Sequence, residues 1–228
     1  MDDSYLGGTS SPDPHSPLSP PSQAAVNRVR LALADVVGLL PVAEAAAIAI
    51  REAAGATAVG ISLMDGSEYW DLVEVWPSAF SYERFPVNSR YPLTQYPAAS
   101  ERLLAGKGYF SGDAADEVMA EYRELWPEVS IGSIMGVPIV ALGEVHGEVF
   151  LLRDAQAPAF TRDDMDLVAE MATYLGARLP ALVASHKGTS IYGETVLDET
   201  YGEPSMSRLT AQLGDLLKDS EGSPDNKA

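Results

Sequence analysis

Between Trp76 and Trp126 the chain concentrates aromatic side chains: Phe80, Tyr82, Phe85, Tyr91, Tyr96, Tyr109, Phe110 and Tyr122. Apolar and aromatic walls with a few polar groups are the usual composition of a small-molecule site. Arg84 and Arg90 add guanidinium forks suited to an anion or a carbonyl group, and Ser133 adds a hydroxyl. The candidate ligand-binding set is therefore Trp76, Arg84, Arg90, Tyr91, Tyr109, Tyr122, Trp126 and Ser133. A plainer role fits the same residues: the aromatics only pack against one another and the arginines only balance acidic neighbours. Pattern alone does not separate the two.

Other chemistries find less support. The chain has no cysteine, which removes disulfides, thiolate metal sites, cysteine nucleophiles and thioether-linked cofactors. Three histidines exist, His15, His146 and His186. The first and last lie in or beside the ends of the chain, and His146 fits a solvent-facing turn better than a metal ligand. The acidic pairs Asp116-Glu117 and Asp163-Asp164 stand at helix starts, where favourable interaction with the helix dipole accounts for them. No Ser-His-acid set and no P-loop can be placed. Neither catalysis nor a metal or cofactor is expected.

The formal net charge is −18, from 15 Lys+Arg against 33 Asp+Glu over 228 residues. Such a chain repels nucleic acid phosphate and anionic lipid, so neither DNA, RNA nor a membrane surface is an expected partner. The amino terminus lacks a basic stretch before an apolar run, unlike a signal peptide, and no run of about 18 uncharged apolar residues suggests a membrane span. A cytoplasmic location is expected. The length suits one domain with tails: a Pro/Ser-rich disordered tail over 1–23, a domain over 24–185, and an acidic, mostly disordered tail over 186–228 with a possible short helix at 206–218.

Within the domain the elements follow from period and punctuation. Val26, Val29, Leu33, Val36 and Leu40 recur at three–four spacing and predict a helix from Ala24 to Leu40. That stripe either covers a sheet or pairs with a second copy, and a homodimer through it is expected. Pro41 opens a second helix that ends at Gly55. Thr57–Met64 and Tyr69–Trp76 read as strands around the Asp65-Gly66 turn. Short helices are expected at Ala98–Leu104 and Ala114–Leu125. Two strands flank Gly143. Thr161 and Asp164 form a capping box for a last helix with Met165, Val168, Met171, Leu175 and Leu179 as its buried stripe, ended or kinked at Pro180.

Three segments carry a family resemblance: MGVPIVALGEVHGEVFLL from Met135 to Leu152, AFTRDDMDLVAEMA from Ala159 to Ala172, and YPLTQYPAASERLLAGKGYFSGD from Tyr91 to Asp113. With the order helix, helix, strand, strand, helical insert, strand, strand, helix, they resemble a GAF domain over roughly Ala24 to Ser185. The resemblance implies an α/β (α+β) fold: a central antiparallel sheet with helices on one face and a pocket-covering lid on the other. It implies that Tyr91–Asp113 holds the pocket-closing helix and the short edge strand after it. Departures narrow the ligand. Bilin-binding and methionine-sulfoxide-reducing members use cysteine, which is absent. Cyclic-nucleotide-binding members carry Asn-Lys-Xaa-Phe-Asp-Glu, also absent. Haem-binding members need an axial histidine.

The resemblance implies a non-enzymatic signalling or regulatory module that senses a small organic ligand and acts on a partner signalling protein in trans. The alternative is a ligand-free dimeric scaffold that recruits partners through its acidic tails. Thr195 and Thr200, among the acids and apolar residues of Ser190–Gly202, suit phosphorylation-controlled recruitment.

Overall fold

The computed structural model describes residues 18–77 and 89–192, with 187–192 as backbone only. Six antiparallel strands form one sheet: β1 (Ala58–Asp65), β2 (Glu68–Val75), β3 (Arg90–Pro92), β4 (Tyr109–Ser111), β5 (Ile131–Ala141) and β6 (Glu144–Asp154), in spatial order β3-β2-β1-β6-β5-β4. The helices are α1 (Pro20–Leu33), α2 (Leu39–Ala54), α3 (Pro97–Leu104), α4 (Glu117–Leu125) and α5 (Arg162–Tyr192). Helices α1, α2 and α5 cover one face. Helices α3 and α4, with the segments beside them, lie on the other as a lid.

Each face has its own core because the central strands are apolar on both sides. Val59, Ile61 and Leu63 of β1, Met135, Val137 and Ile139 of β5, and Val149 and Leu151 of β6 meet α2 and α5. The intervening Ala58, Ile134, Phe150 and Leu152 meet the lid. Period-two alternation separates the two sets.

Several boundaries differ from the periodicity. Helix α1 starts at Pro20, inside the expected tail, because Ser19 caps it by accepting from the Ser22 N–H at 3.3 Å. It stops at Leu33 rather than Leu40, and α2 begins at Leu39 behind Gly38 (φ 94°). Pro180 does not end α5, which continues to Tyr192. One lost N–H bends a helix without stopping it when the next turn still packs. Here Leu182 and Val183 rest on the core.

The α1 stripe corrects the expected dimer seam. Val26, Val29 and Leu33 are buried against α2 and α5 of the same chain. Arg178 locks this arrangement by donating to Leu33 O at 2.6 Å and Val36 O at 2.9 Å. Helix α5 is the one described helix long and apolar enough to cross a bilayer by length and composition. Its Val168, Met171, Ala172 and Leu175 are packed into the core. The expected tail features at 1–17 and 193–228, including Thr195, Thr200 and the 206–218 helix, lie outside the described residues.

The α5 start is built as its capping box predicts. Thr161 N–H donates to Asp164 Oδ2 at 2.8 Å and Asp164 N–H to Thr161 Oγ1 at 3.3 Å. Arg153 of β6 ties this corner together. It donates to Ala54 O, Pro158 O and Asp164, and its guanidinium lies 4.2 Å from the centre of the Phe160 ring.

Candidate functional site

The lid face of the sheet holds polar groups that period-two reading of β2 assigns to the other side. The β1–β2 register shifts between Ile61, opposite Val73, and Ser62, opposite Asp71. Leu72 is the extra residue of this bulge, so Leu72 and Val73 both reach the helical core. The bulge turns Asp71 and Tyr69 to the lid face, where strict alternation would have placed Trp70 and Leu72. Two rows result across the sheet. One is Asp71–Ser62–Glu148, and the next is Glu74–Gly60–Phe150–Gly136.

Asp71 and Glu148 are each only 4% exposed. Ser62 Oγ donates to Asp71 Oδ1 at 2.5 Å, and the Tyr91 hydroxyl donates to the same oxygen at 2.9 Å. The Tyr109 hydroxyl donates to Glu148 Oε1 at 2.7 Å and stands 3.1 Å from the Tyr122 hydroxyl. Gly136 makes this crossing possible. A Cβ there would collide with both Glu148 Oε1 and the Tyr109 ring. Glu74 stands at the rim, partly accessible, and accepts from Trp76 Nε1 at 3.2 Å.

Burial dominates the electrostatics. It pushes the Glu148 carboxyl up to about 8, with the charge of Asp71 adding to the shift and the Tyr109 bond opposing it. Burial and the nearby Asp71 also push Glu74 up to about 8. Asp71 itself is raised by burial against the two hydroxyl bonds it accepts. Desolvation and the same carboxyls raise the hydroxyls of Tyr69, Tyr91, Tyr96, Tyr109 and Tyr122, which therefore stay neutral donors.

Rings close the layer from above. Tyr122 stacks on Phe150 at 4.6 Å between centroids and sits 4.9 Å from Tyr96. Trp126 packs at 5.3 Å from Tyr122 and 5.7 Å from Trp76, and Tyr69 stacks on Tyr91 at 5.3 Å. A carboxylate clip joins the two lid helices. Glu121 of α4 accepts from the N–H groups of Ala98 (2.6 Å) and Ala99 (3.2 Å) at the start of α3, where a negative charge is favoured. A Cβ at the buried Gly60 would meet Glu74 Cγ at 3.7 Å and Val73 O at 3.8 Å, with no described lid atom within 4 Å.

Of the residues expected from sequence, Trp76, Tyr91, Tyr109, Tyr122 and Trp126 come together here. Arg84 lies outside the described residues. Arg90 is elsewhere: its guanidinium lies 5.0 Å from the Trp70 ring centre and pairs with the exposed Asp65 (3.3 Å) and Glu68 (3.6 Å). Trp70 belongs to the helical face because of the same bulge, so Arg90 is drawn outward. Ser133 is fully buried on the helical side, where its Oγ accepts from the Phe160 N–H at 3.2 Å. His146 bonds Ala141 O through Nε2 at 3.1 Å. Sequence reasoning passed over Asp71, Glu74 and Glu148. Their signal was present: single acids inside apolar strands, as in YWDLVEV and GEVFLL. Among the described residues no group of His, Asp and Glu side chains is placed to hold a metal ion.

A family model described as the GAF domain matches residues 29–179. Among solved structures, the chain is similar to the GAF domain from a phosphoenolpyruvate-protein phosphotransferase of Coxiella burnetii. The TM-score is 0.60 at 15% identity, over 74% of this chain and 99% of that one. It is also similar to the chromophore-binding domain of an unusual bacteriophytochrome from R. palustris, with a TM-score of 0.55 at 13% identity over 73% of this chain and 61% of that one. The Stigmatella aurantiaca phytochrome photosensory core module gives 0.58 at 11% identity over 74% and 38%. The chain thus spans less than two thirds of either phytochrome structure. At these identities the likeness is one of fold. No curated protein matches the sequence.

Proposed function

Because this chain belongs to the GAF domain family, we propose that it is a sensor module that binds one small organic molecule under its lid and acts on a partner signalling protein in trans. The observation that carries this reading is the enclosed layer between sheet and lid. It combines aromatic walls with the buried carboxyls of Asp71 and Glu148 and the hydroxyls that bond them. Aromatic walls with a few placed polar groups are the composition of a small-molecule site. Similarity to the chromophore-binding domain and the photosensory module of two phytochromes agrees with a signalling role.

The scaffold alternative is the weaker reading, because the stripe it relied on for dimerisation is occupied by α2 and α5. Self-association in the sensor reading uses a different surface, and analytical ultracentrifugation of the full chain tests it. Truncation at Ser185 followed by pull-down tests whether the carboxy-terminal segment recruits the partner.

A thermal-shift screen of the full chain against a broad metabolite panel tests ligand binding. Binding to the folded state stabilises by about 2.7 kcal/mol at a hundred times the dissociation constant. Gly60→Val adds bulk to the lid face of the sheet between Glu74 and Phe150 and should abolish the stabilisation. Gly60→Ala, which fits without collision, serves if the valine variant fails to fold. A panel without a stabiliser, or one whose hits ignore both variants, would overturn the reading.

A further inference from the structure

The β5–β6 hairpin ends in a turn whose residue type works against its conformation. Val140 pairs with Val145 and Ala141 with Glu144, which leaves Leu142 and Gly143 as the turn. Leu142 has φ 54° and Gly143 φ 83°. Two successive positive φ values mark a type I′ turn, which favours Asn-Gly and disfavours leucine. Leu142 is also 92% exposed, the most exposed large apolar side chain among the described residues. Its own chain gives it no burial in return for the strained backbone. Such a position points to a use outside the chain.

The tip is held in place from two sides. His146 Nε2 donates to Ala141 O at 3.1 Å. The Val140 carbonyl lies against Gly176 of α5, where a Cβ would collide with it. Leu142 is therefore a fixed knob. One exposed leucine is ordinary on a protein surface, but this one has a hole beside it. An open cavity of about 360 Å3 lies between α5 and the end of the sheet. Apolar side chains line it, including Leu63 and Trp70 of the sheet and Leu179, Pro180 and Val183 of α5. His146, which holds the tip, forms part of the same wall. About 150 Å3 of apolar cavity holds a benzene ring, so the hole admits a leucine side chain. At 92% exposure Leu142 does not occupy the hole of its own chain.

Knob and hole thus stand side by side at one end of the molecule. A surface that carries both halves of an apolar contact is self-complementary. A two-fold axis between them seats each knob in the other copy's hole, and the assembly closes at two. We propose that this end of the molecule is a homodimer interface, in which Leu142 of each copy enters the cavity between α5 and the sheet of the other. It gives the sensor reading its surface for self-association, and its failure leaves ligand binding under the lid untouched. The chain carries −18, so two copies repel at a distance and burial holds them together. Salt should therefore tighten the dimer, because screening weakens the repulsion and spares the apolar contact.

Sedimentation equilibrium of the full chain at low and high salt is the first measurement. The wild type should dimerise, and more tightly at high salt. Leu142→Asn removes both knobs and should weaken association about a hundredfold. At a dilution where both proteins are monomers the same variant should melt higher than the wild type, because Asn-Gly suits the turn. A leucine needed only for the fold would move the melt the other way. Ala184 also lines the cavity, and Ala184→Arg should dissociate the dimer from the side of the hole. The chain has no cysteine, so Leu142→Cys mixed with Ala184→Cys tests the geometry directly. Under mild oxidation the mixture should give the mixed disulfide, which intact mass separates from either same-variant pair. A monomeric wild type overturns the proposal. So does a dimer that either variant leaves intact or that salt dissociates, an Asn variant that melts lower, or a mixture without the mixed disulfide.

Discussion

Glu148 should make the protein less stable as pH rises, and a single substitution isolates the effect. The folded state holds this carboxyl up to about 8 against an ordinary 4.5 because it is buried. Below pH 4.5 both folded and unfolded chains carry the proton, and the group adds no slope. Between 4.5 and 8 the unfolded chain has released the proton while the folded chain keeps it. Stability then falls with rising pH, at a limiting slope of about 1.4 kcal/mol per unit. Over that window the loss from this one group is about 4–5 kcal/mol, a large part of the 5–15 kcal/mol typical of a domain. Above pH 8 the slope ends, because both states are ionised. Glu148→Gln keeps the side-chain shape and an acceptor for the Tyr109 hydroxyl, but it cannot titrate. Among the described residues Oε2 takes part in no bond, so the new amide lacks an acceptor there, which adds a constant cost independent of pH. The informative quantity is therefore the slope and not the offset. Urea unfolding of both proteins at pH 5.5, 6.5, 7.5 and 8.5 measures it. The variant should gain on the wild type by about 1 kcal/mol or more per unit up to pH 8. Glu74 slopes the same way in both proteins and cancels in the difference, whereas Asp71 is coupled to Glu148 and its share belongs to the measured slope. Parallel curves for the two proteins would refute the buried, proton-holding state of Glu148.

Three further outcomes are expected. Gly136→Ala drives a methyl into Glu148 Oε1 and the Tyr109 ring, so urea unfolding should show a loss of about 1–3 kcal/mol, and Ala at Gly60 should show almost none. Arg153→Ala removes the bonds to Ala54 O, Pro158 O and Asp164; it should cost about 3 kcal/mol in thermal or urea melts, and Lys should restore little because it lacks the planar fork. Val29→Glu places a charge against α2 and α5 at a 1% exposed position, and circular dichroism should report unfolding rather than a folded monomer.

The architecture was legible where the signal was local. Glycine at Gly143 adopts φ 83° at the β5–β6 turn, and the exposed Leu142 beside it is held at φ 54°. The Thr161–Asp164 box starts α5, and the Asp65-Gly66 pair turns β1 into β2. Aromatic enrichment correctly pointed to the lid, since Tyr91, Tyr109, Tyr122 and Trp126 do meet there. The polar half of the site is legible only as single acids inside apolar strands, not as the face they occupy. Arg90 and Ser133 were assigned to the pocket because arginine and serine are versatile ligands, and both lie away from it. Which face a residue of β2 occupies depends on one extra residue at Leu72. Strand alternation read from sequence has no way to see it.

Sequence by itself determined the class of this protein: an acidic, cysteine-free chain, with helices and strands in the order of a GAF domain. It does so because hydrophobic period, caps and turn residues act over a few positions along the chain. Tertiary structure alone decided the chemistry under the lid and the fate of the α1 stripe. Glu148 is far in sequence from Ser62 and Asp71, and the three become neighbours only through antiparallel registers and a bulge. Val26, Val29 and Leu33 have the spacing of a dimer seam, and that spacing is the same whether the partner is a second chain or α2 and α5 of the same one. A pattern records that a face is apolar; only packing selects what covers it.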